Sequence, residues 1–149
     1  MGRDYDITWQ TEEIPAAAVL NPLRQTYWAH NRDIATIRAA MANSLCVGAV
    51  NGAGQLIGFA RVITDFATMY YICDVVVDVA HRGRGVAKSM ISEITAEPRL
   101  KNLTGMLLTD DAHGLYSKFG FLTESKKCMI RPRAAVGGER KFKWFTVEG

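Results

Sequence analysis

The residues best suited to chemistry lie between Val75 and Lys88, where Val-Val-Val-Asp-Val-Ala gives way to His-Arg-Gly-Arg-Gly-Val-Ala-Lys. The β-branched run reads as a buried strand; the glycines break it, and a helix opens behind them. A helix N-terminus leaves backbone N–H groups without partners and carries partial positive charge. Gly83 and Gly85 let the backbone approach a ligand, and Arg82, Arg84 and Lys88 add full charges. This is chemistry for an anion of the pyrophosphate kind. It is not a Walker A loop, because G-x-x-x-x-G-K-[ST] is absent. A dinucleotide turn needs a third glycine where Lys88 stands, and it normally opens on the first strand of a larger fold.

Other groups have both a chemical and a plain structural reading. Asp74 sits inside an apolar strand, where an unpaired carboxylate is costly. It is therefore either a hydrogen-bonded structural acceptor or a general base in a cleft. Strict alternation puts Asp74 and Asp78 on one face, unless a bulge breaks the register. Asp110 and Asp111 read as a helix N-cap and its neighbour. His113 reads as an exposed first-turn residue with base chemistry as the alternative, and His30 and His81 have no partner visible in the sequence. Cys46, Cys73 and Cys128 form an odd, widely spaced set without a CxxC pair. They read as reduced thiols of a cytoplasmic protein, with no metal site expected.

These groups need elements to position them. Tyr5–Gln10 alternates weakly as a first strand. A helix follows from Pro15 to about Tyr27, and Asp33 caps a second carrying Ile34, Ile37 and Met41. Leu45–Val50 and Leu56–Thr64 form a hairpin about Asn51-Gly52-Ala53-Gly54, and a long strand spans Met69–Val79. Ala87, Met90, Ile91 and Ile94 make one helical stripe, which Pro98 ends near Ala96. Gly105–Thr109 is a short strand. The next helix stops at Gly120, a C′ residue with Phe121 folding back on it. Cys128–Arg131 reads as a further strand. The order is β-α-α-β-β-β-α-β-α-β, an α/β mixture.

With 149 residues the chain has the size of a single domain, and its net charge of +3 makes no demand for nucleic acid. The N-terminus is too polar for a signal peptide, and no apolar run reaches transmembrane length. Between Lys126 and Lys143 stand seven Lys/Arg against the one acid Glu139. That basic tail reads as a solvated face, with the 3′-phosphate of a nucleotide, an acidic acceptor or RNA as alternatives.

Arg82-Gly83-Arg84-Gly85-Val86-Ala87 matches an Arg/Gln-x-x-Gly-x-Gly/Ala signature, and the chain resembles the GNAT superfamily of N-acetyltransferases. Some thirty residues on, Ala112-His113-Gly114-Leu115-Tyr116-Ser117-Lys118-Phe119-Gly120-Phe121 is similar to that family's A-x-x-x-Y-x-x-x-G-F segment. The resemblance covers roughly residues 5–131. It implies a mixed, mostly antiparallel twisted sheet of about six to seven strands flanked by about four helices. It also implies a single domain over 1–149, with 132–149 a basic segment of unassigned structure.

The resemblance further implies acetyl-CoA as donor, its pyrophosphate cradled by backbone from Gly83 through Val86 and Ala87, with Arg82, Arg84 and Lys88 adding charge. Pantetheine would lie against the backbone of Val77 and Val79. Tyr116 matches the tyrosine that protonates the leaving thiolate, a role open to a phenol of pKa ~10. The chain departs from many relatives in having Thr109 rather than Asn seven residues before that tyrosine. Tyr27, Trp28 and the stretch to Arg32 fall where the family overhangs its acceptor. The activity implied is transfer of acetyl to a small-molecule or peptide amine, with Asp74, Asp78, His113 or water as the base. A homodimer is compatible with this. The alternatives are a non-catalytic acyl-CoA sensor or interaction module, and an RNA-directed role for the tail.

Overall fold

The computed structural model describes residues 3–133. They fall into two compact units that divide between Leu107 and Leu108. The first holds nearly all the regular structure: β1 (Tyr5–Thr8), α1 (Ala16–Arg24), α2 (Ile34–Ala42), β2 (Leu45–Asn51), β3 (Leu56–Thr64), β4 (Met69–Val77), α3 (Val86–Ala96) and β5 (Thr104–Leu107). The strands form one sheet in the order β1-β2-β3-β4-β5. The first four run antiparallel, and β5 lies parallel to β4 after the α3 crossover.

Local chemistry sets the boundaries. Pro15 is the N-cap of α1, and α1 ends at Arg24, short of Tyr27. Just beyond, the Thr26 hydroxyl donates to the Leu23 carbonyl at 2.7 Å and accepts from the Ala29 N–H, drawing the backbone into a turn. The Asp33 carboxylate accepts from the Thr36 N–H at 2.8 Å, the cap expected for α2. Asn51 Oδ1 accepts from the Ala53 and Gln55 N–H groups and so closes the β2–β3 turn. α3 stops at Ala96 with Glu97 extended, as Pro98 demands.

Both faces of the sheet are covered. Ile14, Val19, Leu23, Ile37, Phe59 and Val76 belong to one buried cluster beneath α1 and α2. Val86, Met90, Ile91 and Ile94 are the buried side of α3, so Val86 replaces Ala87 in the expected stripe.

The second unit contains α4 (His113–Ser117). Neither Asp110 nor Asp111 caps it: the Thr109 hydroxyl accepts from the Ala112 N–H at 3.0 Å. Its C-terminus is a complete Schellman closure. The Phe121 N–H donates to the Tyr116 carbonyl, the Gly120 N–H donates to the Ser117 carbonyl, and Gly120 has φ +88°. The Tyr116 and Phe121 rings meet edge to face at 6.1 Å, supplying the apolar contact that accompanies this cap. The Tyr…Gly-Phe spacing is thus a helix-ending device as much as a signature.

The strand expected at Cys128–Arg131 is not formed, and the described sheet has five strands rather than six to seven. Met129 is 94% exposed and no strand pairs with this stretch, so its apolar residues lack the ladder that would make them a strand. The basic segment beyond Arg133, with Phe142, Trp144 and Phe145, lies outside the described residues.

Candidate active site

β4 is bent where its chemistry begins. Phe59 pairs with Val76 and Arg61 with Cys73, so Asp74 and Val75 together oppose only Ala60. Asp74 carries the extra residue with φ +54°, a left-handed conformation that short polar side chains tolerate. The bulge overturns strict alternation: Cys73 and Val76, three residues apart, pair with β3 residues that are two apart. The parallel ladder with β5 covers Met69–Ile72 and stops before the bulge.

Asp74 does not stand alone inside this apolar strand. Its Oδ2 accepts from Arg32 Nη1 at 2.6 Å and from Arg61 Nε at 2.9 Å. Arg61 Nη1 also donates to the Ser44 hydroxyl at 3.1 Å. The three side chains are 4%, 14% and 11% exposed for Asp74, Arg32 and Arg61, so this is a buried ion triad. One carboxylate oxygen of Asp74 is thus engaged as acceptor by two guanidinium groups.

Beyond the bulge the strand ends at Val77 rather than Val79, because Asp78 turns the chain. The Asp78 carboxylate accepts from the Ala80 N–H and caps a single 3-10 turn, Val79–His81. It also accepts from Gln25 Nε2 at 2.9 Å and bonds His81 Nδ1 at 3.0 Å. These side-chain bonds, Gln25 foremost, hold the Asp78 carboxyl below the usual carboxylate range. Gln25 Oε1 meanwhile accepts from the Val79 N–H, so one amide grips both residues. The Val77 carbonyl accepts from Arg82 Nε at 3.1 Å.

The loop that leads into α3 turns on two glycines. Gly83 and Gly85 have φ of +78° and +79°, a region L-residues avoid. A Cβ at either would meet no protein atom within 4 Å, so backbone geometry calls for glycine there and the space beside it is open. Gly85 is the N-cap of α3 and offers no side-chain oxygen to the first N–H groups of that helix. The loop is pinned from behind: the Tyr5 hydroxyl bonds Ser89 Oγ at 2.7 Å and donates to the Gly85 carbonyl. Arg84 pairs with Asp4 at the surface. Arg82 and Lys88 are exposed.

In the second unit, Tyr116 is 8% exposed and its phenol is pushed up to about 12, by burial first and by the Asp111 charge second. It therefore stays protonated at any working pH. His113 is exposed at the start of α4.

The Cys46 and Cys73 thiols are poor nucleophiles. Burial, only partly opposed by Arg61, pushes Cys46 up to about 11 and Cys73 up to about 12. Ellman's reagent at pH 8 is expected to modify Cys128 in the native protein and the other two only on unfolding. Rapid native labelling of Cys73 would contradict this.

Sequence reasoning brought forward the loop, Asp74, Asp78 and Tyr116. It missed Gln25, Tyr5 and the pairing of Arg61 with Asp74.

The chain belongs to the Acetyltransferase (GNAT) family, whose model matches residues 6–121. Members of that family transfer acetyl from acetyl-CoA to amines. Among solved structures, the chain is similar to a protein of Xanthomonas campestris pv. campestris assigned to the same family, at 35% identity and TM-score 0.81. That match covers 88% of this chain and 94% of the other. A probable acetyltransferase of Staphylococcus aureus shares the fold at 22% identity and TM-score 0.70, over 85% and 96% of the two chains. Glucosamine-6-phosphate N-acetyltransferase of Arabidopsis thaliana shares it at 13% identity and TM-score 0.63, over 87% and 99%. No curated protein matches the sequence.

Proposed function

We propose that this chain is a cytoplasmic N-acetyltransferase, its two units acting as one domain, that moves acetyl from acetyl-CoA to a primary amine by direct attack in a ternary complex. The family match runs across the boundary between the units, which supports a joint role. The three free cysteines support a reducing compartment. The observation that carries the reading is the pair of left-handed glycines opening α3, with no side chain capping the helix and open space beside both.

Acetyl-CoA would set its pyrophosphate against the N–H groups from Gly83 to Ala87. Lys88 and Arg82 would add charge from the rim, and Arg84 would exchange its exposed Asp4 partner for phosphate at little cost. Pantetheine would lie along the end of β4, exchanging with Arg82 for the Val77 carbonyl and with Gln25 for the Val79 N–H. The latter N–H is then free to meet the oxyanion as the amine nitrogen attacks the thioester carbonyl. As the tetrahedral intermediate collapses, the C–S bond breaks and Tyr116 gives its proton to sulfur. The proton released by the amine restores the phenol through water. Asp74 and Asp78 are both engaged as acceptors, which favours water over either as the base.

Thiol release tests the reading against amines, polyamines, amino acids, aminoglycosides and peptide N-termini. Amine-dependent release of CoA is the expected result. Saturable acetyl-CoA binding without release across the panel would instead make the chain a non-catalytic acyl-CoA-binding module.

A further inference from the structure

Asp78 and His81 form a hydrogen-bonded pair just past the end of β4, and the pair leaves one ring nitrogen of His81 unused. His81 Nδ1 lies 3.0 Å from Asp78 Oδ2, and the two side chains are 18% and 14% exposed. Bonds from Gln25, His81 and the Ala80 N–H hold the Asp78 carboxyl below the usual carboxylate range, so it is a charged acceptor at neutral pH. Facing a carboxylate, Nδ1 carries the hydrogen, and Nε2 of the neutral ring keeps its lone pair. Among the described residues Nε2 has no protein partner, and no buried side-chain nitrogen is left unsatisfied. Nε2 therefore reaches solvent.

A carboxylate that fixes one imidazole nitrogen and leaves the other open is the arrangement of a general base with its orienting group. The pair also stands where such a base is wanted. Gln25 donates to Asp78 Oδ1 and accepts from the Val79 N–H. The orienting carboxylate and the N–H assigned to the oxyanion thus belong to one hydrogen-bonded cluster. Val79 and His81 begin and end a single 3-10 turn, about 4 Å apart along its axis. Gln25 itself follows α1 directly and opens the connection through Tyr27 and Trp28, the stretch expected to overhang the acceptor.

We propose that His81, oriented by Asp78, is the general base of the reaction: Nε2 takes the proton of the acceptor ammonium, directly or through one water. The role rests on the acetyl-transfer reading. The ammonium N–H bond breaks, its proton passes to Nε2 and then to solvent, and the freed lone pair forms the bond to the thioester carbon. The second proton, lost from nitrogen after attack, is the one that restores the Tyr116 phenol.

Long-range proton–nitrogen spectra of the imidazole rings in the full chain read the tautomer. The Nδ1–H form is expected at His81. An Asp78→Asn variant, whose amide donates as well as accepts, should lose that bias. An Nε2–H form in the native chain would overturn the base role.

Turnover is measured with the best amine of the thiol-release panel. His81→Gln, whose amide can keep the link to Asp78, is expected to lower kcat/KM for the amine at least tenfold at pH 7. Its affinity for acetyl-CoA should be nearly unchanged. At pH 9.5 far more of the amine arrives already deprotonated, so the gap between variant and native chain should close. Should His81→Gln fail to fold, His81→Asn asks the same question with a shorter amide. Full turnover by the variant at pH 7, or a deficit that persists undiminished at pH 9.5, would overturn the base role and leave acetyl transfer standing. No release of CoA from any amine by the native chain would overturn both.

Discussion

Replacing Tyr116 with Phe is expected to lower kcat by about 100-fold or more, the usual range for removing a general acid, with the affinity for acetyl-CoA nearly unchanged. Phe keeps the ring that packs edge to face on Phe121 and leaves the backbone closure at Gly120 intact. Only the hydroxyl is lost. With the phenol pushed from 10 up to about 12, the proton donor persists at high pH, so the kcat profile should show no alkaline loss from Tyr116 near pH 10. Stability has the opposite dependence. In the unfolded chain this phenol ionises near 10, so from pH 10 to 12 the unfolded state is favoured progressively and stability falls. The Phe variant lacks that contribution. A variant with normal kcat would remove Tyr116 from the chemistry.

Replacing Asp74 with Ala is expected to destabilise the protein by about 3–5 kcal/mol, as seen when one partner of a buried ion pair is removed. The change strands the Arg32 and Arg61 guanidinium groups without their shared acceptor. It also places a residue with no affinity for the left-handed region at φ +54°. Asp74→Asn keeps the shape and tolerates the backbone, so it should cost less than Ala while still lacking the charge. Urea unfolding of the three proteins ranks them. If Ala and Asn cost under about 1 kcal/mol, in the range of an exposed pair, the triad is not the structural pivot described here.

Much of this site was legible in the residues, and the exceptions have physical causes. The Gly83–Lys88 turn could be read because glycines at a strand-to-helix junction and clustered cations have few other uses. Caps such as Asp33 and Gly120 are local, and local chemistry shows in local sequence. The ion triad is not local: Arg32, Arg61 and Asp74 come from three separate segments. A signal did exist, since Arg61 and Asp74 are charges within apolar stretches of neighbouring antiparallel strands. The bulge that brings Asp74 to Arg61 could be anticipated but not placed, because Asp tolerates the left-handed region without requiring it. Gln25 was hidden for a different reason. An exposed glutamine at a helix end has no pattern to mark it until the fold brings Asp78 and Val79 beside it. Asp110 and Asp111, three and two residues before α4, misled because the Thr109 hydroxyl accepts from the Ala112 N–H instead.

The central claim is that acetyl-CoA binds where Gly83 and Gly85 open α3, and calorimetric titration of acetyl-CoA into the native chain and a Gly85→Val variant tests it most directly. Valine in the left-handed region costs about 1–2 kcal/mol and sets a side chain into space that no protein atom occupies. Saturable one-site binding to the native chain is expected. Affinity should be at least tenfold weaker in the variant, which still melts cooperatively. Equal affinity in the two proteins, or no binding to the native chain, would contradict it.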